Sequence, residues 1–411
     1  MIALPQTLPR SRAKSLRGER LDRGLAWLGL VVWLVFNLLV VILTWRDPHN
    51  HSVIGNYRFA ASGWWAGADI YGTSIDGFLY LPSFAVLYTP FWLLGDYWGD
   101  VLWHIVSASV FTWAVWRAVC LLQPDRHFIA FGQILPMILL TGTAALRNGQ
   151  ATTLLVALML LGTVAIAEQR WWRAAVFLAL AFAIKPLGIV LVLLAGALYP
   201  RLRLPLLVGV VLTLALPLIH PDPAAALHVY GLGFDKLVAS SLPSRQTWSD
   251  LTGLLDKLGL VLPMAALTAI RAIAALLTLW VAWLATRRQD RRFVALDLFA
   301  LSVCYLMLMN PRTEENTYIM FAVVLVLFAA LFRWSAIGPW RNWLLIAFAV
   351  LLGCHNYGNW IFRLTEYWLK PLVCLAFLPI LFEACLGRLF YRGDLSEEAA
   401  SSTTAGVSSN P

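Results

Sequence analysis

Long apolar stretches alternate with short polar or basic turns along most of this chain. Thirteen such runs can be drawn, over 25–45, 78–94, 101–122, 128–145, 152–167, 172–185, 187–199, 204–219, 267–286, 293–309, 318–332, 342–354 and 371–389. A helix of about 20 apolar residues crosses the hydrocarbon layer with every backbone group satisfied internally. The pattern therefore predicts an all-α integral membrane protein, a polytopic bundle of about twelve transmembrane helices with a long first extracytoplasmic loop.

Two runs decide the threading. The run 78–94 carries Pro82 and Pro90, and 172–199 is broken at Lys185-Pro186. If 78–94 spans, Arg170 and Arg173 fall outside and the turn Arg147-Asn148-Gly149-Gln150 falls inside. If it lies along the outer interface instead, Arg117, Arg126, Arg170, Arg173, Arg201 and Arg203 all come out cytoplasmic. The second threading satisfies the positive-inside rule and makes 172–199 a broken hairpin. Beyond residue 199 both agree: 286–292, with four arginines, is a cytoplasmic turn, and Arg333, Arg341, Arg388 and Arg392 are cytoplasmic too. Three regions result: a basic cytoplasmic N-terminus over 1–24, a membrane domain over 25–389, and a disordered cytoplasmic tail over 390–411. The outer loops are 46–98, 146–151, 220–266, 310–317 and 355–370. Both termini are inside, in the cell (inner) membrane.

Composition agrees. Of 411 residues, 60% are hydrophobic and 13% charged, against roughly 25% charged in soluble domains. The 20 tryptophans suit rings placed at headgroup depth. The net charge of +9 sits at the ends of apolar runs, so it marks membrane sidedness and not a nucleic-acid surface. The first run, preceded by Arg10, Arg12, Lys14, Arg17, Arg20 and Arg23, reads as a retained signal anchor. The five cysteines lack metal-ligand spacing, and no ligand cluster demands a metal or other cofactor.

Candidate chemistry gathers on the outer side. Lys185 stands in an apolar stretch before a proline, where a cation is expensive unless paired, solvated or functional; it suits a phosphate, or it snorkels. The turn Asn310-Pro311-Arg312-Thr313-Glu314-Glu315-Asn316 sets one cation and two carboxylates between nearly uncharged runs. A carboxylate there can act as general base, and Arg312 can counter charge on a phosphate oxygen; the plainer alternative is a hydrated turn. Arg147 and Gln150 share those roles with less weight. In the first loop Asp47 directly follows the first span, 55–67 reads as a short interfacial helix, and Asp69, Tyr71 and Asp76 follow. His355 at a helix end is more ordinary.

The segments Tyr57…Ala66-Gly67-Ala68-Asp69-Ile70-Tyr71…Phe78-Leu79-Tyr80-Leu81-Pro82, Asn148-Gly149-Gln150…Leu154-Leu155, Ala183-Ile184-Lys185-Pro186 and Asn310-Pro311-Arg312 resemble, in this order, glycosyltransferase family 87. The resemblance covers about 25–389. It implies a GT-C fold and an inverting sugar transfer on the outer face from a polyprenyl-phosphate sugar donor, typified by mannosyltransferases. It also implies a catalytic carboxylate in the first outer loop, but that position falls near Val53, and Asp47 is the nearest acid. A histidine often found in the late outer turn is Asn316 here, after Glu314 and Glu315.

Taken together, these readings give a hexosyltransferase acting on a lipid or glycan acceptor among membrane lipids, with no nucleic-acid partner. Asp47 or Glu314 is the base, Lys185, Arg312 and Arg147 hold the donor phosphate, and Gln150, Glu315, Asn316, Asp69 and Tyr71 contact substrate. Two rival classes are a secondary transporter, which should show discontinuous helices in corresponding halves, and a non-catalytic lipid-binding relative of the same fold.

Overall fold

Helix is the regular structure throughout the computed structural model, which describes residues 10–50, 52–72, 77–241, 248–287, 290–333 and 339–387. The first apolar run is the core of α1 (Arg10–Arg46), which reaches back through the basic segment because its Arg, Lys, Leu and Glu residues are good helix formers. The first loop holds α2 (Ile54–Trp65), where a short helix is expected over 55–67, and α3 (Pro82–Leu93). At twelve residues α3 is about 18 Å long, too short to cross about 30 Å of hydrocarbon. Asp76 lies outside the described residues.

Three helices follow with the loop packed on them: α4 (Gly95–Leu122), α5 (His127–Arg147) and α6 (Ala151–Ala167). Then α7 (Trp171–Ile184) and α8 (Ile189–Leu198) form a hairpin around a single 3-10 turn, Pro186–Gly188. Its two arms end side by side, with the Trp171 and Tyr199 rings 5.7 Å apart. The hairpin breaks where proline removes a backbone donor. Lys185 therefore sits at a tip reaching the first turn of α6, where its ammonium lies 3.3 Å from the Thr152 hydroxyl.

The rest of the bundle comprises α9 (Pro200–Ala215), α10 (Pro223–Ser241), α11 (Leu251–Lys257), α12 (Met264–Ala285), α13 (Arg291–Met309), α14 (Ile319–Arg333), α15 (Pro339–Gly353), α16 (Asn359–Thr365) and α17 (Leu369–Cys385). Among the described residues, seven helical segments are long and apolar enough to cross a membrane, and the pair α16–α17, bent by 58°, makes an eighth if it is one broken span. The expected twelve included runs that form shorter helices: α6, α7 and the 3-10 turn continued by α8 fall below the length of a straight crossing. Every residue of α14 except Arg333 is buried, so this helix is the centre of the bundle.

Charge is segregated along the bundle axis. At one end Arg117 pairs with Glu168, Arg170 lies 3.4 Å from the same carboxylate, and Arg333 pairs with Asp22 at 2.7 Å. At the other end the first loop is pinned to the bundle. Arg58 of α2 ion-pairs with the buried Asp100 of α4 at 2.7 Å, and the Val53 N–H donates to the Asn148 carbonyl. The Trp103 indole donates to the Gly149 carbonyl at 2.8 Å.

That turn needs its glycine twice over. Gly149 has φ +64°, and a Cβ there would lie 2.5 Å from Ile54 Cδ1. Gly259 has φ +73° with open space around it. Gly149→Ala should therefore lower the apparent melting temperature in detergent more than Gly259→Ala, which bears only the backbone strain of about 1–3 kcal/mol. Equal losses would show that Ile54 swings aside without cost.

Candidate functional site

The end of the bundle that carries the first loop holds two neighbouring cavities that share a wall. The first, of about 470 Å³, is bounded by Gly77–Tyr80 of the first loop, the hairpin tip, α10, α12, the end of α13 and the following turn. Its charged groups are Lys185, Arg271, Arg312 and Glu314, Tyr80 and Tyr305 are among its other polar groups, and Leu187, Val190, Leu237 and Met309 are among its apolar walls. Three cations against one carboxylate, set in an apolar shell, suit an anionic head on a hydrocarbon chain.

Tyr80 is held from behind. Its hydroxyl pairs with that of Tyr57 at 3.0 Å, and the Tyr57 hydroxyl accepts from the Ala151 N–H at the start of α6. Burial pushes both phenols up from their ordinary value, so they stay protonated. The Tyr71 hydroxyl donates to the Tyr80 carbonyl, and the Asp69 carboxylate caps the Tyr71 N–H at 2.8 Å. The Lys185 ammonium lies 5.6 Å from the centre of the Tyr80 ring, within cation–π range. Burial lowers the Lys185 pKa from its ordinary value, and the charge of Glu314 across the cavity opposes that shift. The short motifs of the first loop thus shape the pocket around the hairpin tip.

The second cavity, of about 760 Å³, is more polar. Trp248, Ser249, Glu314, Glu315, Asn316, His355, Asn356, Glu366 and Tyr367 are among its lining residues. Trp248 and Glu314 line both cavities. Carboxylates, amides and aromatic faces together suit a polyhydroxylated ligand. Tyr367, at the bend between α16 and α17, has φ +67°, a strained conformation for a residue with a Cβ.

The turn between the cavities is fastened on both sides. Thr313 is fully buried; its hydroxyl donates toward the Leu306 and Asn310 carbonyls, and its carbonyl accepts from the Ser249 N–H at 2.9 Å. Arg312 lies 5.0 Å from the centre of the Trp248 ring. Lys370, 4% exposed, donates to the Glu315 carbonyl at 3.1 Å and lies 3.4 Å from the Glu315 carboxylate and from His355. Burial and the Lys370 charge lower the His355 pKa to about 4, so the ring is neutral near pH 7. Glu315 is thus occupied by an ion pair. Among the described residues none hydrogen bonds or ion-pairs with the Glu314 carboxylate.

Of the residues expected from sequence, Lys185, Arg312 and Glu314 come together, with Glu315 and Asn316 on the far side of Glu314. Asp47 and Arg147 lie with each other in a separate cavity of about 180 Å³. Asp47 is exposed and accepts from the N–H of its neighbour His49. Gln150 is buried in a fourth cavity, beside α1. Asp69 and Tyr71 support Tyr80 from behind. Sequence reasoning did not assign Tyr80, Trp248, Arg271 or Lys370. Two had signals: Arg271 is an arginine within an apolar run, and Lys370-Pro371 repeats the Lys-Pro pair of the hairpin tip.

A family model for glycosyltransferase family 87 matches residues 78–311, more than half of the chain. No curated protein and no solved structure matches the chain. The matched region holds Tyr80, Lys185 and Arg271 and ends one residue before Arg312.

Proposed function

Because this chain belongs to glycosyltransferase family 87, we propose that it moves a hexose, with mannose as the sugar, from a polyprenyl-phosphate donor to an envelope glycolipid or glycan. The observation that carries this reading is the meeting of an apolar, cationic cavity and a polar, carboxylate-lined cavity at one carboxylate, Glu314. The first takes the donor: its phosphate lies among Lys185, Arg271 and Arg312, and the first isoprene units follow the apolar wall. The second takes the acceptor hydroxyl.

Transfer then proceeds by displacement at the anomeric carbon. Glu314 accepts the acceptor's hydroxyl proton as the oxygen attacks. The bond from the anomeric carbon to the phosphate oxygen breaks, and polyprenyl phosphate leaves with the electron pair. The three cations stabilise the charge gathering on that phosphate. Attack from the side opposite the leaving group inverts the configuration. Asp47 is the alternative base; its exposure and its distance from the Lys185 cavity favour Glu314.

Donor class is tested by binding. Purified protein should be thermally stabilised by polyprenyl-phosphate hexose and by free polyprenyl phosphate, and not by a nucleoside-diphosphate hexose. Stabilisation by the nucleotide sugar alone would reverse the assignment.

The same reading places the two cavities on the outer face of the cell membrane, with both termini cytoplasmic. It is supported by the arginine-rich opposite end, which includes Arg117, Arg170 and Arg333. In a cysteine-free background, an impermeant thiol reagent applied to intact cells should label Asn356→Cys and leave Gln169→Cys untouched until the membrane is broken. Labelling of Gln169→Cys from outside would invert the topology.

A further inference from the structure

A crevice on the lipid-facing side of the bundle, between α1, α4, α5 and α6, is separate from both cavities of the transfer site. It has a volume of about 260 Å³. Its rim is apolar and turned to the membrane: Leu34 is 68% exposed, Leu38 55% and Ile105 44%. Its floor is polar. Ser107 and Thr153 are buried there, and among the described residues neither hydroxyl has a hydrogen-bond partner. The buried Gln150 lies beside them. Inside hydrocarbon no bulk water reaches such groups, and leaving them unsatisfied costs free energy. The His104 ring, also on the crevice, is already engaged by the Leu146 backbone.

Toward the membrane surface the crevice meets the small cavity of Asp47 and Arg147, with Val40 lining both. Two guanidiniums lie there, Arg46 and Arg147, each in the last turn of its helix, against the single carboxylate of Asp47. From bilayer to surface the order is an apolar rim, a floor of unpartnered hydroxyls and then a cationic cap. A glycerophospholipid presents the same order as acyl chain, ester carbonyl and phosphate.

We propose that this crevice binds one anionic phospholipid of the surrounding leaflet. Its phosphate rests on Arg46 and Arg147, and its glycerol-ester region lies over the polar floor of Ser107, Gln150 and Thr153. The net positive cap selects an anionic headgroup over a zwitterionic one. No lining residue is shared with either cavity of the transfer site, so the bound lipid is neither donor nor acceptor. It fastens α1 to the Asn148-Gly149-Gln150 turn, on which the first loop is seated.

Native mass spectrometry of the delipidated full-length protein, titrated with phosphatidylglycerol and separately with phosphatidylcholine, tests this directly. Wild type should take up one tightly bound phosphatidylglycerol and hold phosphatidylcholine more weakly. Arg147→Gln, at an exposed side chain that leaves the fold intact, should weaken phosphatidylglycerol binding about tenfold, as should Arg46→Gln. Lys185→Ala should leave it unchanged. Undiminished binding in both arginine variants would overturn the proposal, and so would loss in Lys185→Ala, which would place the lipid in the donor cavity. Sugar transfer is not the readout, so failure here would leave the glycosyltransferase reading untouched.

Discussion

Replacing Glu314 with glutamine should lower sugar transfer by about 10²–10⁴-fold while donor binding stays near that of wild type. That range is the usual contribution of general-base assistance, and a sugar hydroxyl is a poor nucleophile without it. Glutamine keeps the size and the hydrogen-bonding oxygen and removes the basicity. Among the described residues none ion-pairs with its carboxylate, which lines both cavities. Its neighbour Glu315 instead neutralises the buried Lys370 and positions the turn. Glu315→Gln should therefore act through the turn, raising KM more than it lowers kcat. Asp47→Asn should cost far less than Glu314→Gln, since Asp47 is exposed in another cavity. A collapse of turnover in Asp47→Asn with normal turnover in Glu314→Gln would exchange the two roles. Measuring turnover and donor affinity on the same preparations separates a lost base from a lost fold.

Lys185→Ala should weaken binding of polyprenyl phosphate by about 10–100-fold, the loss expected when one charge-assisted hydrogen bond to an anion is removed. The amine is held at the hairpin tip by Thr152 and by the face of Tyr80, so it is already in position before the donor arrives. Lys185→Arg should restore only part of the affinity, because a planar fork cannot replace a compact point charge held over a ring. Arg312→Ala should show a comparable defect, and the two together should exceed either alone. Donor binding by titration of the purified protein reads this without any need for the acceptor. Unchanged affinity in Lys185→Ala would mean that the lysine only snorkels from the end of α7.

Much of this site was visible in the chain because charge is scarce there. Lys185 before Pro186, and Arg312 with Glu314 and Glu315 between apolar runs, stand out where most neighbours are Leu, Val and Ala. The helix α2 was equally readable from its aromatic residues. What could not be read is which polar residues share a cavity. Asp47 and Glu314 both follow apolar runs, and only packing places one beside Arg147 and the other beside Lys185. Tyr80 sits over Lys185, and Trp248 against Arg312, through contacts that local periodicity does not encode. Gln150, expected to contact substrate, lies in the turn that seats the first loop, beside a different cavity. The number of crossings was less legible for a related reason: runs such as 172–185 and 187–199 are apolar enough to enter a bilayer and too short to cross it as straight helices.

Following the sugar through the transfer reaction tests the proposed chemistry most directly. Purified protein in bilayer discs would be given polyprenyl phosphate carrying a radiolabelled hexose, together with a lipid extract as acceptor. With wild type, label should move from the donor to an acceptor species, releasing polyprenyl phosphate in equal amount, while Glu314→Gln should leave labelled donor bound and intact. Transfer by Glu314→Gln at the wild-type rate, or donor left intact by wild type with acceptor present, would contradict it.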